Sequence, residues 1–122
     1  MKDIALTVER YLSAWNEPEG EKRRALVASF LAEDGCYRDP LMEADGIDNI
    51  SAMIGAAQKS FPGHLFTLSG PIDRHHQFVR FRWDAAQAGA ESTASGTDVC
   101  VLNGRGQFQE VIGFLDKFPK AQ

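Results

Sequence analysis

The chain has 122 residues, with thirteen Lys plus Arg against seventeen Asp plus Glu and a formal net charge of -4, a balance that argues against nucleic acid or an anionic membrane as its main partner. Hydrophobic residues at 43% and charged residues at 25% exclude a fibrous or disordered chain, and the length suits one domain, 1–122, that buries a core without staples. No apolar stretch approaches the roughly 20 residues of a membrane span, and the start MKDIALTVERY has acids where a signal peptide is apolar, so a cytoplasmic location is the expectation.

Ile4, Val8, Tyr11, Leu12 and Trp15 recur at helical spacing and predict an amphipathic helix from about residue 3 to 16. Tyr11 and Trp15 lie one turn apart on its buried side. Asn16, Pro18 and Gly20 interrupt the chain, the run Lys22-Arg23-Arg24 reads as a solvated face, and Leu26, Val27, Phe30 and Leu31 mark a second helix ending near Glu33-Asp34-Gly35. The stretch Cys36-Tyr37-Arg38-Asp39 is a short strand closed by Pro40, because proline holds the preceding residue extended. Asp39 is thereby a turn-former by type. Tyr37 precedes it by two and shares its strand face.

A third helix opens after Gly46, buries Ile47, Ile50 and Ile54, and stops at Pro62-Gly63. Strands are then expected at 64–72, 76–86, 93–102 and 107–116, punctuated by Gly70-Pro71, Ala88-Gly89 and Asn103-Gly104. Three helices followed by an antiparallel meander make an α+β domain. Within the strands, Val79, Phe81 and Trp83 alternate with Phe78, Arg80, Arg82 and Asp84, so the first set faces inward. Thr97, Val99 and Val101 likewise oppose Gly96, Asp98, Cys100 and Leu102. Both faces carry apolar groups while helices can cover only one, which predicts a homodimer through the sheet face.

Asp98 is the costliest of these residues, since a carboxylate on an apolar face must be paired or protonated. Cys36 and Cys100 are the chain's two cysteines and have no CxxC spacing. They read as reduced core residues. His75 and His76 are adjacent and in an extended segment would point to opposite sides, so they and the strand-start His64 predict no metal site. No cofactor is expected.

The strings ERYLSAW, LAEDGCYRDP, LSGP, GTDVCVLNGRGQF and VIGFLD, with the helix opening after Gly46, resemble those of the nuclear-transport-factor-2-like superfamily. That group includes ketosteroid isomerases and SnoaL-like polyketide cyclases. The resemblance covers nearly the whole chain and implies an NTF2-like (cystatin-like) cone, with three N-terminal helices packed on a curved, mostly antiparallel sheet. It also implies an isomerase or cyclase that abstracts a proton next to a carbonyl of an apolar small molecule. By local matching, the isomerases' base, active tyrosine and second carboxyl fall on Asp39, Tyr11 and Asp98. Trp15, Tyr37, Phe81, Trp83 and Leu115 would line the ligand pocket. In that scheme Asp39 takes the proton while Tyr11 and a neutral Asp98 hydrogen-bond the enolate oxygen, the arrangement known from ketosteroid isomerase.

There are departures. The only other tyrosine is Tyr37, where the isomerases support their active tyrosine with several, and Leu115 replaces a pocket tryptophan. Two alternatives stand beside the isomerase reading. A non-catalytic ligand-binding or dimerisation module would use the same pocket. An epoxide hydrolase like limonene epoxide hydrolase would need Arg82 and Asp84 turned inward, although alternation places both opposite Phe81.

Overall fold

The computed structural model describes residues 3–118. Helix α1 runs Ile4–Asn16, and the Asp3 carboxylate caps it by accepting the Ala5 amide proton at 3.0 Å. Its buried stripe is Val8, Tyr11, Leu12 and Trp15, as the spacing requires. Asn16, more than a chain breaker, fastens the helix end: its side chain donates to the Phe66 carbonyl and accepts from the Phe66 amide, both at 2.8 Å.

Helix α2 spans Gly20–Phe30 and is shorter than expected. Leu31 already opens strand β1, Leu31–Arg38, and pairs with Phe108. The spacing Val27, Phe30, Leu31 is compatible with a helix stripe or with a helix followed by a strand, and pairing with a distant strand decides the matter. The run Lys22-Arg23-Arg24 is not uniformly solvated either. Arg24 pairs with Asp48 at the surface, but the Arg23 guanidinium turns inward and donates to the carbonyls of Ser51 at 2.9 Å, Glu17 at 3.1 Å and Pro18 at 3.3 Å. Gly55 leaves room for it, since a Cβ there would lie 2.6 Å from Nη2.

Strand β2, Glu43–Asp45, and helix α3, Ile47–Ser60, follow. Gly46 enters the helix at φ 84, a conformation that favours glycine. The strand expected at 64–72 is β3, His64–Leu68, and a separate short β4, Asp73–His75, precedes β5, Phe78–Gln87. Strands β6, Ser92–Leu102, and β7, Phe108–Lys117, complete the described residues.

The sheet order is β2-β1-β7-β6-β5-β3, with β4 paired to β5. All pairings are antiparallel except β1 with β7, which is parallel. The result is an α+β fold with a mixed, mostly antiparallel sheet larger than the expected meander. The β1–β7 pairing brings the end of β1 beside the middle of β7, with Arg38 opposite Ile112. Register shifts in β5, β6 and β7 bend the sheet. One face is covered by the helices. There Tyr11, Phe30, Phe81 and Phe108 pack edge to face at centroid distances from 5.4 to 5.9 Å, a favoured aromatic geometry. The opposite face leaves Phe78 and Phe114 exposed at 40% and 54%.

Arg23 ties the α1–α2 connection to α3 through its bonds to the Glu17, Pro18 and Ser51 carbonyls. Arg23→Met keeps the aliphatic stem but removes the donors, and should cost about 2 kcal/mol, measured as a lower midpoint in urea with an unchanged slope.

Candidate functional site

The centre of β6 carries the group on which the site is built. Asp98 is 3% exposed and both its oxygens are engaged: the Tyr11 hydroxyl donates to Oδ2 at 2.6 Å and the Trp83 indole N–H donates to Oδ1 at 3.2 Å. Helix α1 delivers Tyr11 because its stripe lies over the sheet. Strand β5 delivers Trp83 because Trp83 pairs with Gly96, two residues before Asp98. The glycine is what lets the ring lie down, since a Cβ on Gly96 would sit 2.4 Å from the Trp83 ring and 2.6 Å from the Phe114 carbonyl.

Asp39 enters from just beyond β1. Its Oδ1 accepts the amide protons of Leu41 at 2.8 Å and Met42 at 3.0 Å, and its Oδ2 accepts the Tyr37 hydroxyl proton at 2.6 Å. It is therefore a turn-former and a member of a side-chain pair at once. Strand alternation predicts that Tyr37 and Asp39 share a face, and the bond between them follows. The two tyrosine–carboxylate pairs meet over Gly113, opposite Asp98 in the β6–β7 ladder. A Cβ there would be 3.1 Å from both Asp39 Cβ and Asp98 Oδ1 and 3.5 Å from the Tyr37 oxygen. The carboxyls thus converge across the space that a side chain would otherwise fill.

The pairs border a cavity whose interior admits water centres over only about 40 Å³, room for a few water molecules. Of the residues expected to surround it, Tyr11, Trp15, Tyr37, Asp39, Trp83, Asp98 and Leu115 do so. Phe81 does not border it. It faces inward as alternation requires, but packs behind Tyr11 at 5.5 Å between ring centroids and is 1% exposed. The remaining wall is Leu12, Leu41, Met42, Ala57, Phe61, Phe66, Ala94 and Phe118. Phe66, the buried residue of β3, is not singled out by alternation because Leu65 and Leu68 are equally apolar, and Phe61 and Phe118 meet at 5.7 Å from distant parts of the chain. Arg82 and Asp84 are not part of this wall: Arg82 lies 3.9 Å from Asp116 at the surface, and Asp84 accepts from the Ser92 hydroxyl at 3.5 Å. The epoxide-hydrolase arrangement is therefore absent.

The profile of the SnoaL-like domain matches residues 8–111. The chain belongs to the SnoaL-like family. It is similar to a SnoaL-like protein of Agrobacterium tumefaciens described as a candidate isomerase, at 45% identity and TM-score 0.87, over 92% of this chain and 96% of that one. A candidate SnoaL-like polyketide cyclase of Jannaschia shares the fold at 15% identity and TM-score 0.67, over 90% and 85% of the two chains. An NTF2-like protein of unknown function from Cytophaga hutchinsonii does so at 11% identity and TM-score 0.66, over 95% and 92%. A search of curated proteins finds no match. No helix among the described residues is long and apolar enough to cross a membrane.

Electrostatics set the resting state of this SnoaL-like site. Burial pushes Asp98 up to about 6, the hydrogen bonds from Tyr11 and Trp83 pull it back, and the nearby Asp39 raises it. Burial, aided by the carboxylates, holds Tyr11 and Tyr37 well above the ordinary tyrosine value, so both stay neutral and able to donate. At pH 7 an Asp98 at about 6 is mostly ionised and accepts from Tyr11. The neutral, donating Asp98 of the isomerase scheme thus needs further drying of the site, as an apolar ligand would supply.

Because the folded state holds this proton more tightly than the unfolded chain, Asp98's contribution is most favourable below about pH 4. It is lost as pH rises through about 6. The full penalty above that range is on the order of 3 kcal/mol. Asp98→Asn removes the charge; its one oxygen still accepts from the Trp83 indole, while its amide N–H must donate to the Tyr11 oxygen, reversing that bond. Relative to the parent, its melting temperature should rise between pH 4 and 7 and level off above, as followed by thermal denaturation across pH.

Proposed function

We propose that the protein is a pocket enzyme of isomerase or cyclase type, moving a proton next to a carbonyl of a small apolar molecule, with Asp39 as the base and the Tyr11–Asp98 pair facing the developing oxyanion. The observation that carries this reading is the convergence of two tyrosine–carboxylate pairs over Gly113 at an otherwise apolar cavity. Such a wall desolvates the reacting groups, which strengthens every hydrogen bond formed as charge develops. The Agrobacterium relative described as a candidate isomerase adds support. Trp15, Tyr37, Trp83 and Leu115 would contact the ligand's apolar body. The reaction as written draws its proton chemistry from side chains, so the reading names no cofactor. Two free cysteines suit a reducing compartment, and we place the protein in the cytoplasm.

The narrow cavity and the three hydrogen bonds already made to Asp39 favour one competing reading, a binder that sequesters an apolar ligand without changing it. Proton exchange separates the two without knowledge of the product. A panel of short-chain and cyclic ketones and enones incubated with the protein in D₂O should show deuterium entering next to the carbonyl by NMR. Asp39→Asn should slow that exchange by about 100-fold or more with the circular dichroism spectrum unchanged. A ligand that binds equally well to the parent and to Asp39→Asn, exchanges no protons with either and is lost in Trp83→Ala would establish the binder instead.

The uncovered sheet face is assigned to a second copy of the chain. It presents Phe78, Val99, Val101, Ile112 and Phe114 in neighbouring rows, between Arg80 and Arg82 on β5 and Glu110 and Asp116 on β7. Two copies crossing there would bury the apolar rows and bring opposite charges together. Light scattering should report twice the mass of one chain for the parent and a single chain for Phe114→Glu.

A further inference from the structure

One sequence feature plays no part in the cavity. His75 and His76 sit at the turn between β4 and β5, exposed, and the expectation that they diverge is wrong. His76 has φ 52, the one positive value outside glycine among the described residues. That left-handed conformation is uncommon for a residue with a side chain and is most often given to Gly or Asn. Its effect is to rotate the second ring out of strand alternation, so the two Nδ1 atoms lie 3.0 Å apart with the rings nearly perpendicular at 87°.

We propose that His75 and His76 form a bidentate surface site for a divalent transition-metal ion, with copper(II) or nickel(II) as the matching ions. Imidazole nitrogens bind such ions at about 2.0–2.1 Å, so two at a right angle are about 2.9 Å apart and two at a tetrahedral angle about 3.3 Å. The observed 3.0 Å is within the reach of two nitrogens on one ion, and copper(II) stands at the top of the first-row affinity order for nitrogen sites, above nickel(II). In the metal-free protein the same spacing lets one ring N–H donate to the other ring's bare nitrogen. A metal replaces that shared proton, and modest rotations of the exposed rings direct both lone pairs at it. No third His, Cys, Asp or Glu among the described residues completes a set, so water fills the other positions and the ion stays exchangeable. The neighbouring Asp73 is held by Arg80 at 2.7 Å and is not needed as a ligand.

The test uses the full chain without an affinity tag, titrated with copper(II) supplied as its weak glycine complex and examined by electron paramagnetic resonance. One ion per chain with hyperfine structure from two imidazole nitrogens is expected. His75→Ala and His76→Ala should each weaken binding tenfold or more, while His64→Ala, at β3 and away from the turn, leaves it unchanged. His76→Gly discriminates further: it should abolish the two-nitrogen signal while keeping or raising the melting temperature, because glycine accepts the turn's φ without strain. Parent-like affinity in His75→Ala or His76→Ala, or a copper spectrum with at most one imidazole nitrogen, overturns the proposal.

Discussion

The structure turns on a carboxylate in the wrong solvent. Asp98 stands at the middle of the central strand β6, under a helix and surrounded by aromatic rings, where an unpaired charge would be prohibitive. Two donors make it tolerable, and each needs a different part of the fold. Tyr11 requires α1 to cross the sheet at one register. Trp83 requires β5 to place an indole beside β6 with nothing in its way, which is the reason for glycine at position 96. Burial, pairing and the absence of a single methyl group thus form one arrangement, and loss of any of them exposes the cost of the others.

Gly113 extends the same logic to the second carboxylate. A glycine in a strand interior weakens the strand, yet here it stands where Asp39 and Asp98 converge, and the ladder of neighbouring pairs supports β7 from both sides. The parallel pairing of β1 with β7 is equally necessary. Asp39 lies just beyond the end of β1, so only a β1 laid along β7 brings it over Gly113. Its own turn then fixes it, since two backbone amides hold one oxygen and leave the other toward Tyr37. The turn thus fixes the direction of the Asp39 carboxylate.

Much of this is legible in the sequence where the signal is local. The stripe Val8, Tyr11, Leu12, Trp15 specifies both a helix and its buried face, and strand alternation places Asp98 inward and Tyr37 beside Asp39. Bringing Tyr11, Asp39 and Asp98 together drew on resemblance to a superfamily, because residues 87 positions apart such as Tyr11 and Asp98 leave no local trace of contact. What escaped is non-local or conformational. Leu31 looks like the last residue of a helix until its partner Phe108 is known, and Phe81 has the right parity for the cavity but stands behind Tyr11. Arg23 reads as surface charge unless the carbonyls it meets are visible. His76 breaks alternation through a backbone angle that no residue pattern announces, although Gly96 and Gly113 could have been noticed as glycines at inward strand positions.

The fold does not settle what the site can donate; the state of the Tyr11–Asp98 bond does. With Asp98 ionised, the hydroxyl proton of Tyr11 is committed to it and cannot serve a ligand. With Asp98 protonated, its own proton can bridge to the Tyr11 oxygen at the same 2.6 Å, and the tyrosine proton is free to point into the cavity. A value of about 6 sets these two states within roughly 1.4 kcal/mol of each other at pH 7. An apolar ligand that filled the cavity would raise the cost of the charge and favour the protonated state. On the proposed reading, entry of the ligand would create the donor that binds its oxygen, and the same desolvation that destabilises the empty fold at neutral pH would prepare the filled site for a developing oxyanion.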